Sequence, residues 1–394
     1  MGQEGTAVSP MSEFDAAESI ELLQAMIGIN TTNPPGNESV LTKWLADWLK
    51  ERGVESEIVE IESGRSNLVV TLRGKTSDRA LLYTGHLDTV PPGQQQWLHD
   101  PFGAEIVGDC LYGRGASDMK SGLAAMLYSF VLLKRQGFVP EQDLILLATA
   151  GEEVNCLGAR AFVAAGGMKK IVAAVVGEPS NGDVIVAHKG AAWLEITTRG
   201  STAHGSMPHL GVNAILRMNQ MITKLAAFSF DLQPNKWLGM PTLSINRIAG
   251  GVATNVVPDK CTCQVDFRLI PGQTAADAQK IVDDMILALK QDDPGFAAEV
   301  MVMHACDPVE CPEGHPAIGL AQACVEENAQ LPVVVRGVNF YTDASVLLQG
   351  AKLPVIFYGP GDDAQAHQPD EYVSVKKYLA AVRFYETFAK RYTM

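Results

Sequence analysis

Four apolar runs of strand length in this chain each stop at a glycine, and a histidine or an acid follows at once or within one loop. They are Arg79–Thr84 before Gly85-His86, Asp143–Ala150 before Gly151-Glu152-Glu153, Ile171–Val176 before Gly177-Glu178, and Pro354–Tyr358 before the loop from Gly359 to His367. Uninterrupted apolar runs of this length predict strands buried on both faces, as in the middle of an α/β sheet covered by helices. Open α/β sheets build their sites beyond the carboxyl ends of their strands, so the same pattern marks where chemistry is to be sought. Asn67–Leu72 reads as a further strand. Val40, Leu41, Trp44, Leu45, Trp48 and Leu49 recur at helical spacing, and Gly53 stops that helix. Leu123–Leu133 reads as a buried helix and Val375–Tyr392 as a closing one.

The middle of the chain reads differently. Strand patterns at Ala192–Thr198, Thr242–Ile248, Lys260–Leu269 and Ala297–Met303 are interleaved with amphipathic helices at Asn213–Ala227 and Ala276–Leu289. The order β-α-β-β-α-β is that of a split βαβ module. We therefore expect an α/β domain over residues 11–187 and 306–394, interrupted by an inserted α+β domain over 188–305. A chain of 394 residues, 47% hydrophobic and 19% charged, can bury a large core, and wholesale disorder is excluded.

The net charge of −14 and a pI near 5.0 argue against nucleic acid or an anionic membrane as partner. The longest near-apolar run, Leu123–Leu133, is shorter than the roughly 20 residues needed to span a bilayer. Met1–Pro10 lacks a basic segment followed by an apolar one, so no signal peptide is expected; a second Met stands at position 11. Seven cysteines, an odd number without a CxxC pair, suit a reduced cytoplasmic protein.

Each strand end has a plain reading beside a chemical one. In Gly85-His86-Leu87-Asp88-Thr89-Val90, His86 and Asp88 share one side of the backbone, which suits a metal-ligating imidazole steadied by a carboxylate; the plain reading is a buried, hydrogen-bonded histidine. Asp118, in Leu111-Tyr112-Gly113-Arg114-Gly115-Ala116-Ser117-Asp118-Met119-Lys120, is either a helix N-cap or a ligand, and the two glycines favour close backbone approach. Glu152 and Glu153 end an apolar strand, where a cation or solvent must compensate them. Glu178 ends another, and His367 follows the last. Two histidines, one aspartate and three glutamates of this kind suit two divalent ions held by N and O ligands, Zn²⁺ first, with Co²⁺ or Mn²⁺ possible. Asp118, Glu153, Glu178 and a bound hydroxide would balance two such charges, leaving Glu152 free to act as a base.

These segments together resemble the M20 metallopeptidase and deacylase family, which includes acetylornithine deacetylases, succinyl-diaminopimelate desuccinylases and carboxypeptidases. The match runs in order through G-H-L-D-T-V, G-R-G-x-x-D-M-K, G-E-E and G-E-P-S, with N-P-P-G at Asn33–Gly36 near the start, and extends from Met11 to Met394. The resemblance implies a mixed-sheet dinuclear metallohydrolase with an inserted lid and dimerisation domain. It implies that His86 and Glu178 hold one metal, Glu153 and His367 the other, and that Asp118 bridges them. Asp88 then orients His86, and Glu152 is the general base. Gly200-Ser201-Thr202-Ala203-His204-Gly205-Ser206-Met207-Pro208 is similar to the lid segment whose histidine reaches a neighbouring active site, which makes His204 an oxyanion donor. Asn255 and Arg268 match substrate contacts of the family, and Thr342 aligns loosely with a substrate-side loop. For Arg268 the plain reading is an ion pair with Asp266 or another acid. His209 is read as structural, and Cys261 and Cys263 as packing residues.

The activity implied is hydrolysis of the amide of an N-acyl amino acid by a cytoplasmic homodimer. A carboxypeptidase or dipeptidase acting on short peptides is the nearest alternative, and a non-catalytic binding protein on the same scaffold the more distant one.

Overall fold

The computed structural model describes residues 14–329 and 333–394, so the leader reading of Met1–Pro10 lies outside the described residues. The chain divides into two compact units. The first comprises the residues up to Val186 with Cys311–Arg336 and Thr342–Met394; the second comprises Ala187–Glu310 with Gly337–Tyr341.

The first unit is built on a mixed sheet. From one edge its strands run Ser56–Glu62, Arg65–Leu72, Gln142–Thr149, Thr76–His86, Ile171–Val176, Val355–Phe357 and Val184–His188. The four central strands of this order are parallel to one another, and antiparallel pairs flank them. Side chains such as Leu81, Leu82, Leu144, Leu146, Val175 and Ile356 are buried, as expected of strands covered on both faces. Helix Glu38–Glu51 packs on Arg65–Leu72, helix Lys120–Arg135 on the two central strands, and helix Pro316–Ala329 on Val355–Phe357. The closing helix Val375–Tyr392 lies against Lys120–Arg135.

Register fixes what this sheet can do. His86 pairs with Thr149, Thr84 with Val176, and Val176 with Phe357, so four parallel strands end side by side. The residues that follow them emerge at one edge of the sheet. Two glycines allow the covering segments to close on that edge. A Cβ on Gly122, in the first turn of its helix, would lie 1.9 Å from the Gly177 carbonyl oxygen, and one on Gly359 would lie 2.5 Å from the carbonyl oxygens of Gly177 and Glu178.

The second unit is a four-stranded antiparallel sheet in the order Thr242–Gly250, Lys260–Leu269, Gly190–Arg199, Ala297–Cys306. In chain order this is second, third, first, fourth, the arrangement of a split βαβ module. Leu194, Ile196, Cys261, Cys263, Val265 and Phe267 form its core with Met218, Met221, Val282 and Ile286 from helices Ala214–Ala226 and Ala275–Asp292. Asn213 caps the first helix, and Thr274 with Asp277 forms a capping box on the second. Among the described residues, no helix is long and apolar enough to cross a membrane.

Candidate metal centre

Five side chains from five separate segments of the first unit meet at the strand ends. His86 Nε2 lies 3.1 Å from Asp118 Oδ1 and 4.0 Å from Glu178 Oε1. His367 Nε2 lies 3.4 Å from Asp118 Oδ2 and 3.2 Å from Glu153 Oε2. Asp118 thus presents one oxygen to each imidazole, as a bridging carboxylate does. It is not a helix cap: the helix at Lys120 starts at Met119, without a side-chain cap.

The surrounding atoms hold these groups in place. His86 Nδ1 donates to the backbone carbonyl of Asp88 at 2.8 Å, which in the neutral ring leaves the Nε2 lone pair facing the acids. The Asp88 carboxylate, read as orienting His86, has its nearer oxygen 3.7 Å from Nδ1. That carboxylate is claimed by other donors. It accepts the N–H groups of Gly151 (3.0 Å), Glu152 (3.1 Å) and Glu153 (3.2 Å), and Asn33 Nδ2 at 2.8 Å. Asp88 therefore fixes the turn that carries both glutamates. Asn33 of the N-P-P-G segment completes the grip.

Two acids at this centre were not legible as site residues from sequence. Asp343 is buried, and its Oδ2 accepts from the Thr149 hydroxyl at 2.6 Å, three residues before Glu152. Burial pushes its pKa up to about 6. Glu371 is wholly buried beside Asp118 and accepts that residue's N–H. A T-D pair after a strand-like segment and an acid four residues past His367 are the only local signals, and neither is distinctive.

The electrostatics show what the centre lacks. Burial raises the pKa values of Glu152 and Glu178 well above the carboxylate range, opposed by His86 and reinforced by neighbouring acids. Burial also raises Glu153, against its hydrogen bond to His367. Burial would lower the His86 pKa, but its hydrogen bond to Asp118 and the charges of Glu178 and Glu152 raise it well above the usual value. Hydrogen bonds to Asp118 and Glu153 push His367 up to about 10. Among the described residues, no lysine or arginine forms an ion pair with Asp118, Glu153 or Glu178. Three clustered acids matched only by imidazoles are short of positive charge, and N and O donors suit hard or borderline divalent cations. His86, Asp118 and Glu153 place donor atoms within 4.8 Å of one another, close enough to share an ion.

The model of peptidase family M20/M25/M40 matches residues 82–391. The chain belongs to that family. This M20 chain is 33% identical over 367 residues to the acetylornithine deacetylase of Vibrio cholerae serotype O1, covering 91% of this chain and 92% of the relative. It is also 33% identical to the acetylornithine deacetylase of Proteus mirabilis, over 90% of this chain and 92% of the relative. Among solved structures, an M20 family metallo-carboxypeptidase from Sulfolobus solfataricus superposes with a TM-score of 0.79 at 18% identity, covering 96% of this chain and 100% of its own. The Bacillus subtilis YXEP protein, described as a dinuclear metal binding peptidase, gives a TM-score of 0.74 at 15% identity over 96% of this chain and 98% of its own. At these identities the likeness is one of fold. The M20 chain is a metal-dependent hydrolase.

The remaining residues singled out from sequence lie elsewhere. His204 and Asn255 are exposed in the second unit, on facing segments joined by the bridge His204–Val256 and the bond from Gly205 N–H to the Asn255 carbonyl (2.7 Å). Ser206 N–H donates to His204 Nδ1 at 3.1 Å, so the neutral ring carries its proton on Nε2. Arg268 donates through Nε (3.2 Å) and Nη2 (3.1 Å) to one oxygen of Asp266, the ion pair anticipated as its plain reading, and its guanidinium lies 5.8 Å from the Tyr341 ring. Thr342, read as a substrate contact, is wholly buried in the first unit, and its hydroxyl accepts Ala344 N–H at 3.1 Å. His209 is exposed, while Cys261 and Cys263 lie in the core of the second unit.

Proposed function

We propose that this chain hydrolyses the amide bond of an N-acyl amino acid, in the manner of a deacetylase. The observation that carries the reading is Asp118, which turns one oxygen to each of two imidazoles beside a turn bearing two acids. The identity to acetylornithine deacetylases over nine-tenths of the chain supports the substrate class. His86 and Glu178 would hold one divalent ion, Glu153 and His367 the other, with Asp118 between them; Zn²⁺ suits the donor set best, and Co²⁺ or Mn²⁺ are alternatives. Such ions polarise a carbonyl oxygen and lower the pKa of bound water.

The chain's own residues supply the proton chemistry. Glu152 is left over from the ligand set and would take a proton from the attacking water and deliver it to the departing amine. His204, with its proton on Nε2, is a donor for the oxyanion of the tetrahedral state. Arg268 would grip the substrate carboxylate through donors not used on Asp266, and Asn255 would bind nearby. We place the protein in the cytoplasm as a homodimer assembled through the second unit, so that His204 serves a partner's centre.

A panel of N-acetyl, N-succinyl and N-aromatic-acyl amino acids, with dipeptides beside them, tests the reading in chelator-treated protein with and without Zn²⁺ or Co²⁺. Turnover of an N-acyl amino acid that returns with the ion is the expected result. Turnover of dipeptides alone would move the assignment to a peptidase. Full activity in metal-free protein would overturn it.

A further inference from the structure

The geometry points to Glu371 and Arg114 as a clamp that sets Asp118 and His367 in position before any ion arrives. The inference rests on the proposed metal centre and assigns two residues to which that centre gives no role. Both side chains are buried, at 0% and 1% exposure. Glu371 Oε1 accepts two successive backbone N–H groups, Ser117 at 2.7 Å and Asp118 at 2.9 Å. Its Oε2 accepts Arg114 Nη1 at 2.5 Å. Arg114 in turn donates through Nη2 to the carbonyl of His367 at 3.4 Å. One ion pair therefore touches the backbone of a ligand on each side.

The clamp extends outward. The neighbouring Asp370 accepts the N–H groups of Leu98 (2.7 Å) and His99 (3.0 Å), and the Trp97 ring lies 5.1 Å from the Arg114 guanidinium. Gly113 N–H donates to the Glu371 carbonyl at 2.8 Å. Segments around residues 97–99, 113–118 and 367–371 are thus knotted at one point.

A rival account makes the pair an ordinary structural salt bridge. Buried ion pairs, however, often do no better for stability than apolar residues of the same volume. What an apolar pair cannot do is bind the Ser117 and Asp118 amides. Asp88 does the same for Glu152 and Glu153 in the other acidic turn of the centre. Each acidic turn is held by a carboxylate whose own oxygens are taken up by N–H donors. Glu371 and Arg114 are positioning residues: they act through Asp118 and His367 and do not touch the reacting atoms.

Co²⁺ titration of metal-free protein, followed by calorimetry and by visible absorption, tests this in wild type, Glu371→Gln, Glu371→Asp and Glu18→Gln, with metal-free melting temperatures beside it. Glu371→Asp keeps the charge opposite Arg114 but withdraws from the two amides. Loss of such outer contacts commonly weakens metal binding by about 10- to 100-fold, and that loss is expected for both Glu371 variants. Glu18→Gln, which breaks ion pairs to Arg52 and Arg135, should lower the melting temperature and leave Co²⁺ affinity unchanged. A lowered melting temperature with wild-type Co²⁺ affinity in the Glu371 variants overturns the inference.

Should those variants not fold, hydrogen exchange on the wild type decides. The Ser117 and Asp118 amides are expected to be protected in metal-free protein, and exchange there at open-loop rates overturns the clamp. A wild type that binds no Co²⁺ at all would instead remove the proposed function, an outcome distinct from either of these.

Discussion

In the first unit, groups at the centre are tied through hydrogen bonds to partners far away in sequence. Asp88 accepts from the turn at 151–153, Glu371 from 117 and 118, and Arg114 reaches the carbonyl of His367. In the second unit, His204 and Asn255 are exposed, and the contacts of His204 are to its near neighbour Ser206 and to the facing segment. The contrast matches two kinds of task. Ligands for an ion must stand at set distances whether or not the ion is there, because a loose site costs affinity. A group that meets a transition state or a partner surface can be ordered by what it meets, and it must be reachable.

The largest test of this contrast is Glu152→Gln. If the turn is held by its backbone, the variant should keep its metal content while turnover falls about 10²- to 10⁴-fold. A variant that loses metal, beside a Glu153→Gln protein that keeps it, would reverse the roles of the two acids. His204→Ala should follow, with kcat lowered about 10²- to 10³-fold and metal content unchanged. Inactive His204→Ala chains mixed with inactive Glu152→Gln chains should regain part of the activity. No recovery in verified mixed dimers would place His204 in its own chain's site or in a structural role.

Arg268→Ala is expected to act more mildly, raising KM about 10- to 100-fold for an N-acyl amino acid while altering the carboxamide analogue little. Equal losses on both, with a lower melting temperature, would show that the pair with Asp266 serves the sheet of the second unit. The smallest effect belongs to Glu18, far from this chemistry. Its hydrogen bond to Arg135, with help from Tyr128 and Arg52 against burial, lowers its pKa from 4.5 to about 2. A carboxylate depressed on folding stabilises the protein above its unfolded pKa, and that contribution is lost as pH falls towards the folded value. Glu18→Gln should therefore lower the melting temperature by a few degrees at pH 7, and the gap to wild type should close by about pH 2.

The central strands were legible because two-sided burial leaves an uninterrupted apolar run, as in Asp143–Thr149 and Ile171–Val176. Ser56–Glu62 was not, since an exposed edge strand rich in glutamate carries no such run. Strand Thr76–His86 begins earlier than its apolar part because its first residues are exposed. Helix Pro316–Ala329 has Gly319 and several alanines, which blur the 3.6-residue stripe. In the second unit the β-α-β-β-α-β order carried the sheet topology with it. The turns that meet at the candidate centre stood out as local strings, G-H-L-D or G-E-E, whose spacing is fixed by strand and turn. Glu371 and Arg114 did not, because the residues they hold lie across 253 and 254 positions of chain. Nothing in a local string records a partner at that distance. The ion pair of Arg268 with Asp266, two residues away on one strand face, was within reach of the alternation alone.

The grip of Asp88 on three successive amides has a consequence for how such a centre can diversify. Asp88 holds peptide groups, which every amino acid except proline presents alike, and leaves the side chains at 152 and 153 out of the bond. The turn is in effect a socket with two interchangeable pins. On the roles proposed for Glu152 and Glu153, an exchange at one pin would alter proton transfer, an exchange at the other would alter ion retention, and neither need disturb the frame that seats them. With those roles, a lineage could retune speed and cation preference as separate traits from adjacent codons.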